Sequence, residues 1–212
     1  MFNILISAAR VSAATLVLCG LIYPLAVTGV AQLAFPDQAN GSLVRSADGV
    51  VQGSLLIGQE WNAPWWFHGR PSATTGADPD DPEKTVAAPY NAASSGGSNY
   101  GPTSKALVER LAADRMALEE AQPDLAGAAL PADMLTTSAS GLDPEISPAN
   151  ADLQVARIAQ ARPDIPEEQI RALVRKRVAD RDLGLFGEPR VNVLALNLAL
   201  QKYFPESHPG RK

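Results

Sequence analysis

The sequence contains one cysteine and two histidines, and this scarcity excludes several kinds of site. Cys19 lies inside a long apolar run, so the chain that follows it has no cysteine and no disulfide. His68 and His208 are too few for a zinc site built from histidine or thiolate ligands. The formal net charge is −5, so the chain lacks the surplus of Lys and Arg that a nucleic-acid-binding domain carries. The sequence therefore predicts a domain stabilised by burial alone, with no metal site and no nucleic-acid partner.

Charged side chains are also missing from residues 11–35. This run is about 25 residues long, and a helix needs about 20 to cross the hydrocarbon core of a bilayer. Arg10 precedes the run and Asp37 follows it, and a basic flank favours the cytoplasmic side. We therefore expect a cytoplasmic tail at 1–10, a transmembrane helix at 11–35 and one extracytoplasmic domain at 36–212.

A cleaved signal peptide is the alternative interpretation, with Gly29 and Ala31 as the small residues of a cleavage site. The apolar run is about twice as long as an ordinary signal-peptide core. Pro24 lies near its centre, where a neighbouring membrane helix can compensate for the lost hydrogen bond. The length favours a retained anchor in a cell inner membrane.

Short strands are predicted directly after the anchor, at residues 42–45, 50–58 and 64–68. Trp61, Trp65, Trp66 and Phe67 crowd together here, as in a packed core, an interfacial belt or a partner surface. Residues 72–102 are rich in Gly, Pro, Ser, Asp and Asn, which is typical of a long loop.

Helices are predicted for most of the second half. One runs from a cap at Thr103 or Ser104 to about residue 122, the next begins at Ser147-Pro148, and a third begins near Pro166. Residues 134–139 are predicted to be a strand or a short turn, and residues 191–200 a short strand entering a helix. The fold class is thus α+β (mixed): one N-terminal transmembrane helix followed by a single mixed α/β extracytoplasmic domain.

His68 and Ser72 lie close together in the segment FHGRPS (67–72), a pattern open to two interpretations. A serine hydrolase would use Ser72 or Ser138 as the nucleophile and His68 as the base. However, a triad also needs an orienting acid and an oxyanion hole, and no Gly-x-Ser-x-Gly elbow occurs in the chain. We favour a structural interpretation, in which Arg70 and His68 bond backbone carbonyls and lock a turn.

Two further polar stretches resemble sites without a specific motif. The glycines of residues 94–99 (SSGGSN) present backbone N–H groups as phosphate-binding loops do, but the Gly-Lys-Ser/Thr of a P-loop is missing. A turn-forming loop is favoured there, and a free-standing binding protein with its ligand in this loop is the alternative. In residues 137–144 (TSASGLDP), small hydroxyl side chains are expected to bond the backbone of a structural turn.

Taken in order, segments of the chain resemble the C subunit of the bacterial Kdp-type potassium-transporting ATPase (KdpC). The resemblance runs almost from end to end, and its motifs are YP (23–24), QANGSL (38–43), LIGQ (56–59), FHGRPSA (67–73), SGGSN (95–99), TSASGLDP (137–144), ISP (146–148), AR (161–162), VNVL (191–194) and LNLAL (196–200). Residues 76–88 depart from the family pattern, since they are longer and more acidic than expected.

The resemblance implies a non-catalytic accessory subunit of a high-affinity, ATP-driven potassium import complex, with potassium carried by the partner subunits. Its implied partners are a channel-like potassium-translocating subunit, the P-type ATPase catalytic subunit, a small single-span subunit and membrane lipid. The family's C subunit is needed for assembly and is described as a catalytic chaperone that raises the ATP affinity of the ATPase subunit. The implied nucleotide loop consists of Ser95, Gly96, Gly97, Ser98 and Asn99. The predicted orientation conflicts with that loop, because it places the residues outside the cytoplasm, away from ATP.

Overall fold

A computed structural model describes residues 1–205, and His208 lies outside this range. The chain divides into two compact units, the first covering Met1–Gln52 and the second beginning at Gly53.

The first unit is dominated by a continuous apolar helix, Phe2–Ala34, long enough to cross a membrane by length and composition. It consists of α1 (Phe2–Val17), a π-helical turn (Leu18–Ile22) and α2 (Tyr23–Ala34), and none of its residues is buried. Pro24 explains the π turn, because a helical proline has no N–H and its ring crowds the carbonyl four residues earlier. The helix extends N-terminally beyond residue 11, where the charge-free run begins.

A short helix and a two-stranded sheet follow the apolar helix. They are α3 (Pro36–Ala39), β1 (Leu43–Arg45) and β2 (Val51–Ser54), with β1 and β2 hydrogen-bonded as neighbours. Strands were predicted at 42–45 and 50–58, and the second is shorter than predicted. Gly53, the third residue of β2, has φ 154°, a backbone value that glycine adopts readily.

The predicted loop at residues 72–102 is wrong in part, because it contains a β-hairpin. Strands β3 (Thr75–Ala77) and β4 (Thr85–Ala87) pair antiparallel, with Gly76 opposite Val86. The acidic segment that departs from the family pattern forms this hairpin. The predicted strand at 64–68 is also wrong, since that segment has turns and extended chain but no strand.

The second half confirms the predicted helices. They are α4 (Lys105–Ala121), α5 (Pro148–Ala161), α6 (Glu167–Arg177) and α7 (Val193–Tyr203), with 3₁₀ turns at Pro123–Leu125 and Ala132–Met134. Ser147 Oγ accepts a hydrogen bond from the Asn150 N–H, the cap expected at this start. Acidic residues begin α6 and basic residues end it, as the helix dipole favours.

The core lies between these helices and a three-stranded antiparallel sheet. The strands are β5 (Glu145–Ile146), β6 (Val178–Ala179) and β7 (Arg190–Asn192), in the order β5-β7-β6. The buried side chains come mainly from α5, α6, α7 and β7. As predicted, the apolar segment at 191–200 is a strand that passes directly into a helix. The observed fold is therefore mixed helix and strand, preceded by one apolar helix.

Candidate functional site

Two side-chain amides hold the backbone of the FHGRPS segment. Asn197 Nδ2 donates to the Phe67 carbonyl at 2.9 Å, and the Phe67 N–H donates to Asn197 Oδ1 at 2.9 Å. Gln154 repeats this arrangement with His68, at 2.8 and 3.1 Å. Because an amide side chain offers a donor and an acceptor side by side, each of these two side chains pairs with the backbone as a neighbouring β-strand would. The segment is thereby fastened to α5 and α7.

The His68 ring is used in a structural contact. Its Nε2 lies 3.0 Å from the Ala63 carbonyl, and a carbonyl only accepts, so this nitrogen carries the proton. Burial, together with the nearby Arg157 guanidinium, lowers the pKa of His68 to about 4. The ring is therefore neutral at pH 7 and locks the turn that precedes it.

Ser72 and Ser138 are likewise committed to backbone contacts. Ser72 Oγ donates to the Gly141 carbonyl at 2.7 Å and accepts from the Tyr90 N–H at 3.0 Å. Ser138 Oγ accepts from the Gly141 N–H at 2.8 Å. In the described part of the chain neither serine is hydrogen-bonded to His68. The geometry does not support the hydrolase alternative, because no nucleophile is paired with a base.

Arg70 connects the FHGRPS segment to the turn at 137–144. Its guanidinium bonds the Asp143 carboxylate at 2.9 Å and the Thr137 and Thr136 carbonyls at 3.3 and 3.4 Å. The prediction that Arg70 and His68 bond backbone carbonyls is confirmed. Asp143 is the counter-ion of this arginine.

Tyr90 packs where two glycines leave room for its ring. A Cβ on Gly58 would lie 2.4 Å from the Tyr90 ring and 2.7 Å from the Asp143 carbonyl oxygen, and a Cβ on Gly69 would lie 2.2 Å from the Tyr90 hydroxyl. That hydroxyl donates to the Arg70 carbonyl at 2.7 Å. Burial and the Asp143 carboxylate raise the pKa of Tyr90 to about 12. Tyr90 therefore stays neutral and links three motif segments.

The glycine loop packs on the same turn. The Gly96 N–H and Ser95 Oγ both donate to the Ser140 carbonyl, at 2.9 and 3.0 Å. A Cβ on Gly97 would lie 3.0 Å from the Ala139 carbonyl oxygen, a close approach that favours glycine at this position. A Cβ on Gly96 would meet nothing within 4 Å, so the packing accounts for Gly97 and not for Gly96. A nucleotide-binding role for residues 95–99 remains a prediction.

The end of this loop turns towards solvent. Ser98 is half-buried, whereas Asn99 is exposed and adopts φ 55°, a left-handed conformation that asparagine tolerates. The loop thus has a fixed start on the 137–144 turn and an accessible end.

A polar cleft of about 280 Å³ opens beside these contacts. Its lining includes Glu60, Asn62, Arg70, Tyr90, Gln122 and Asn150. Among residues 1–205, no group of three or more His, Cys, Asp or Glu side chains is placed to hold a metal ion. Of the charged side chains in this lining, Arg70 is paired with Asp143.

The sequence did not identify Gln154, Asn197 and Tyr90 as the residues that hold the FHGRPS segment in place. Gln154 and Asn197 interrupt apolar helical stripes, and a polar residue at a buried position is a usable signal because it needs a partner. Tyr90 lies in a Ser- and Gly-rich stretch, and local sequence contains no signal for its role.

Comparison with known proteins identifies the family. The profile described as "KdpC: K+-transporting ATPase, c chain" matches residues 5–202. The chain is 60% identical over 183 residues to the potassium-transporting ATPase KdpC subunit of Bradyrhizobium diazoefficiens, covering 86% of this chain and 89% of the relative. It is 60% identical over 185 residues to the same-named protein of Methylobacterium nodulans, covering 87% and 90%. The protein of that name from Methylorubrum extorquens is 59% identical over 181 residues, covering 85% and 88%. The chain therefore belongs to the KdpC family, the c chain of the K+-transporting ATPase.

Proposed function

We propose that this chain is an accessory subunit of an ATP-driven potassium importer and carries no catalytic group of its own. The observation that supports this most is the use of Arg70, Ser72 and Tyr90, whose side chains all cross-link motif segments. A rigid scaffold of this kind suits a subunit that stabilises a larger assembly. The relatives' name, potassium-transporting ATPase KdpC subunit, supports the same role.

The proposed partners are the channel-like potassium-translocating subunit, the P-type ATPase subunit and the small single-span subunit. The apolar helix supports a place among them, because Gly20 and Gly29 allow neighbouring helices to approach closely. The span contains no ionisable side chain between residues 11 and 35 except Cys19 and Tyr23, so we assign ion conduction to the partners.

We further propose that the helix is a retained inner-membrane anchor with its N-terminus in the cytoplasm. The family match begins at residue 5 and so includes the apolar helix, which supports retention. Arg10 supports the orientation through the positive-inside tendency.

Cysteine labelling tests this orientation. In a Cys19→Ser background, Ala112→Cys places a thiol on an exposed position of α4, and Ser7→Cys places one near the N-terminal end of α1, before Arg10. A membrane-impermeant maleimide is expected to label residue 112 in intact spheroplasts and residue 7 only after permeabilisation. The reverse pattern would refute the orientation.

The family's chaperone effect on ATP affinity is, in our proposal, a consequence of assembly. The Gly96 N–H already donates to Ser140, so this donor is not available to a phosphate while the loop keeps its packing. The proposed orientation also separates Ser95 and its neighbours from cytoplasmic ATP. We therefore expect Ser95→Ala and Ser98→Ala complexes to keep the KM for ATP within about twofold; a tenfold increase in an intact complex would establish direct contact.

The subunit role is tested by expressing the partners with and without this chain. We expect the full set to purify together in mild detergent and to show potassium-stimulated ATP hydrolysis. Without the chain, that stimulation should fail while the ATPase subunit is still made. A chain that purifies alone, beside partners that are fully active without it, would overturn the proposal.

A further inference from the structure

The loop between β6 and β7 presents three large apolar side chains to solvent. Leu183 is 93% exposed, Leu185 71% and Phe186 60%, and with Gly184 they form what we call the apolar tip (residues 183–186). Single exposed apolar residues are ordinary, whereas three large ones within four residues of one loop are a concentration of the type that marks interaction sites.

The backbone conformation at residue 183 is unfavourable for a leucine. Its φ is 54°, a left-handed value that is unfavourable for a bulky residue and suited to glycine or asparagine. Because Leu183 is almost fully exposed, its side chain gains nothing from the fold in compensation. Neither local stability nor solubility accounts for a leucine here, so the apolar side chain points to a contact outside this chain.

The apolar tip is ordered in advance by its own backbone. The Asp182 N–H donates to the Phe186 carbonyl at 2.9 Å, and the Phe186 N–H donates to the Asp182 carbonyl at 2.9 Å. The N–H groups of Gly184 and Leu185 donate to Arg181 and Asp182 carbonyls at 3.0 and 3.1 Å. A preformed loop loses little conformational entropy when a partner binds it.

Ion pairs fix the base of the tip to the sheet. Arg190 on β7 bonds the Asp182 carboxylate at 3.1 and 3.2 Å and Glu145 on β5 at 3.2 Å. Arg181 bonds Glu188 across the loop at 2.6 Å. Arg190 thus connects the base of the apolar tip to the strands of the core sheet.

The surrounding charges favour a protein partner over a lipid surface. Acids outnumber arginines at the base, with Asp180, Asp182 and Glu188 against Arg181 and Arg190. Loops that bind anionic headgroups need a surplus of Lys and Arg, and membrane-interface segments are rich in Trp and Tyr. Residues 180–189 contain no lysine, tryptophan or tyrosine.

The size of the patch argues against a self-association site. A stable interface buries about 800 Å² on each partner, more than three side chains supply. Such a patch fits the role of an anchor, where a few apolar side chains fill a pocket within a wider contact.

We propose that the apolar tip inserts into an apolar recess on another protein subunit of the transport complex. This inference rests on the proposed function, because it takes the partner from the same assembly. The tip supplies the apolar anchor, and the charged side chains at its base form a polar rim with a small acidic surplus.

Two measurements on the full chain test the insertion. In a Cys19→Ser background, the reactivity of Leu183→Cys towards a membrane-impermeant maleimide is compared between the chain alone in phosphatidylcholine nanodiscs and the complete complex in the same nanodiscs. We expect about tenfold slower labelling in the complex, while the control Ala112→Cys reacts equally in both. In parallel, Leu183→Asn/Phe186→Ser should retain about tenfold less partner protein after a detergent wash.

Controls separate docking from folding. Val108→Thr/Met116→Gln removes exposed apolar groups from α4, at positions 60% and 69% exposed, and should retain partners as the wild type does. Leu183→Asn alone suits the left-handed backbone, so it should keep or raise the thermal midpoint and still weaken retention. A folded Leu183→Asn chain with wild-type retention would overturn the proposal.

The remaining outcomes are also decisive. Slow labelling of residue 183 in the chain alone would mean that lipid or a second copy covers the tip, and would overturn the proposal. Equal labelling in the chain and the complex, with partners retained, would overturn it while leaving the subunit role intact. Failure of the wild type to retain any partner would instead refute the proposed function.

Discussion

The Arg70 guanidinium and the Asp143 carboxylate form a salt bridge of 2.9 Å, with side chains 24% and 27% exposed. Arg70 follows the buried Phe67, and Asp143 ends the turn that supports the glycine loop. The pair therefore joins two distant motif segments beside the polar cleft. It acts in the scaffold as a cross-link between them.

Arg70→Met should destabilise the chain by about 2 kcal/mol. Removing one partner leaves the Asp143 carboxylate partly buried without its counter-ion, and partial exposure keeps the loss below that of a fully buried pair. Urea unfolding of the full chain in detergent measures the change. Arg175→Met, which breaks an exposed pair with Glu168, is the matched control and should leave the midpoint unchanged. Equal effects of the two substitutions would contradict the cross-link.

Acidification should destabilise the fold through His68. Its pKa is about 4 in the folded chain and near 6.5 when unfolded, so the unfolded state binds a proton first as the pH falls. The stabilisation is complete above pH 6.5 and is lost between 6.5 and 4, reaching about 3 kcal/mol. The free energy of unfolding, measured between pH 6.5 and 4, should fall in the wild type and depend less on pH in His68→Gln. The same pH dependence in both chains would refute the assignment of this effect to His68.

Gly58→Ala should be poorly tolerated. The new methyl would lie 2.4 Å from the Tyr90 ring and 2.7 Å from the Asp143 carbonyl oxygen, and the backbone atom cannot move without shifting the turn. We expect a cost of about 3 kcal/mol, at the upper end of overpacking effects, measured as a lower thermal midpoint. Gly101→Ala, with nothing within 4 Å of its Cβ, is the control. A Gly58→Ala chain as stable as the control would show that the Tyr90 ring can move to accommodate the new methyl group.

Arg162→Met should be neutral or stabilising. Arg162 is fully buried, its guanidinium carbon lies 4.9 Å from the Trp66 ring centroid, and within residues 1–205 its nitrogens have no hydrogen-bond partner. Burial lowers the pKa of Arg162, which reflects the cost of keeping the charge there. Methionine has similar length, and replacing a buried charge with an apolar side chain is often favourable by about 1 kcal/mol or more. A loss of about 2 kcal/mol, the value of a desolvated cation–π contact, would show that the Trp66 stacking outweighs desolvation.

Local signals predicted much of the fold. Ser147-Pro148 located the start of α5, Pro24 marked a disturbance in the apolar helix, and residues 191–200 combined a strand with a helix as expected. The wrong predictions, at 64–68 and 72–102, concern segments with little regular periodicity. The conformation at 64–68 depends on partners from α5 and α7. At 72–102 the missed strands β3 and β4 are only three residues long and pair with each other.

The family motifs were visible in the sequence, but their purpose was not. His68, Arg70 and Ser72 resemble catalytic residues when read alone, and only their bonds to Ala63, Asp143 and Gly141 identify them as structural. The glycine loop likewise resembles a phosphate loop until its packing on Ser140 is seen.

The sequence by itself determined the apolar helix, the main helices and the family, because caps, prolines and apolar periodicity act over a few residues. Only the tertiary structure decided which polar groups are hydrogen-bonded within the fold and which face solvent. Those outcomes depend on contacts between residues distant in the chain, such as Phe67 with Asn197. The exposed Leu183 is the clearest case, since its residue type suggests a core position and the fold places it in solvent.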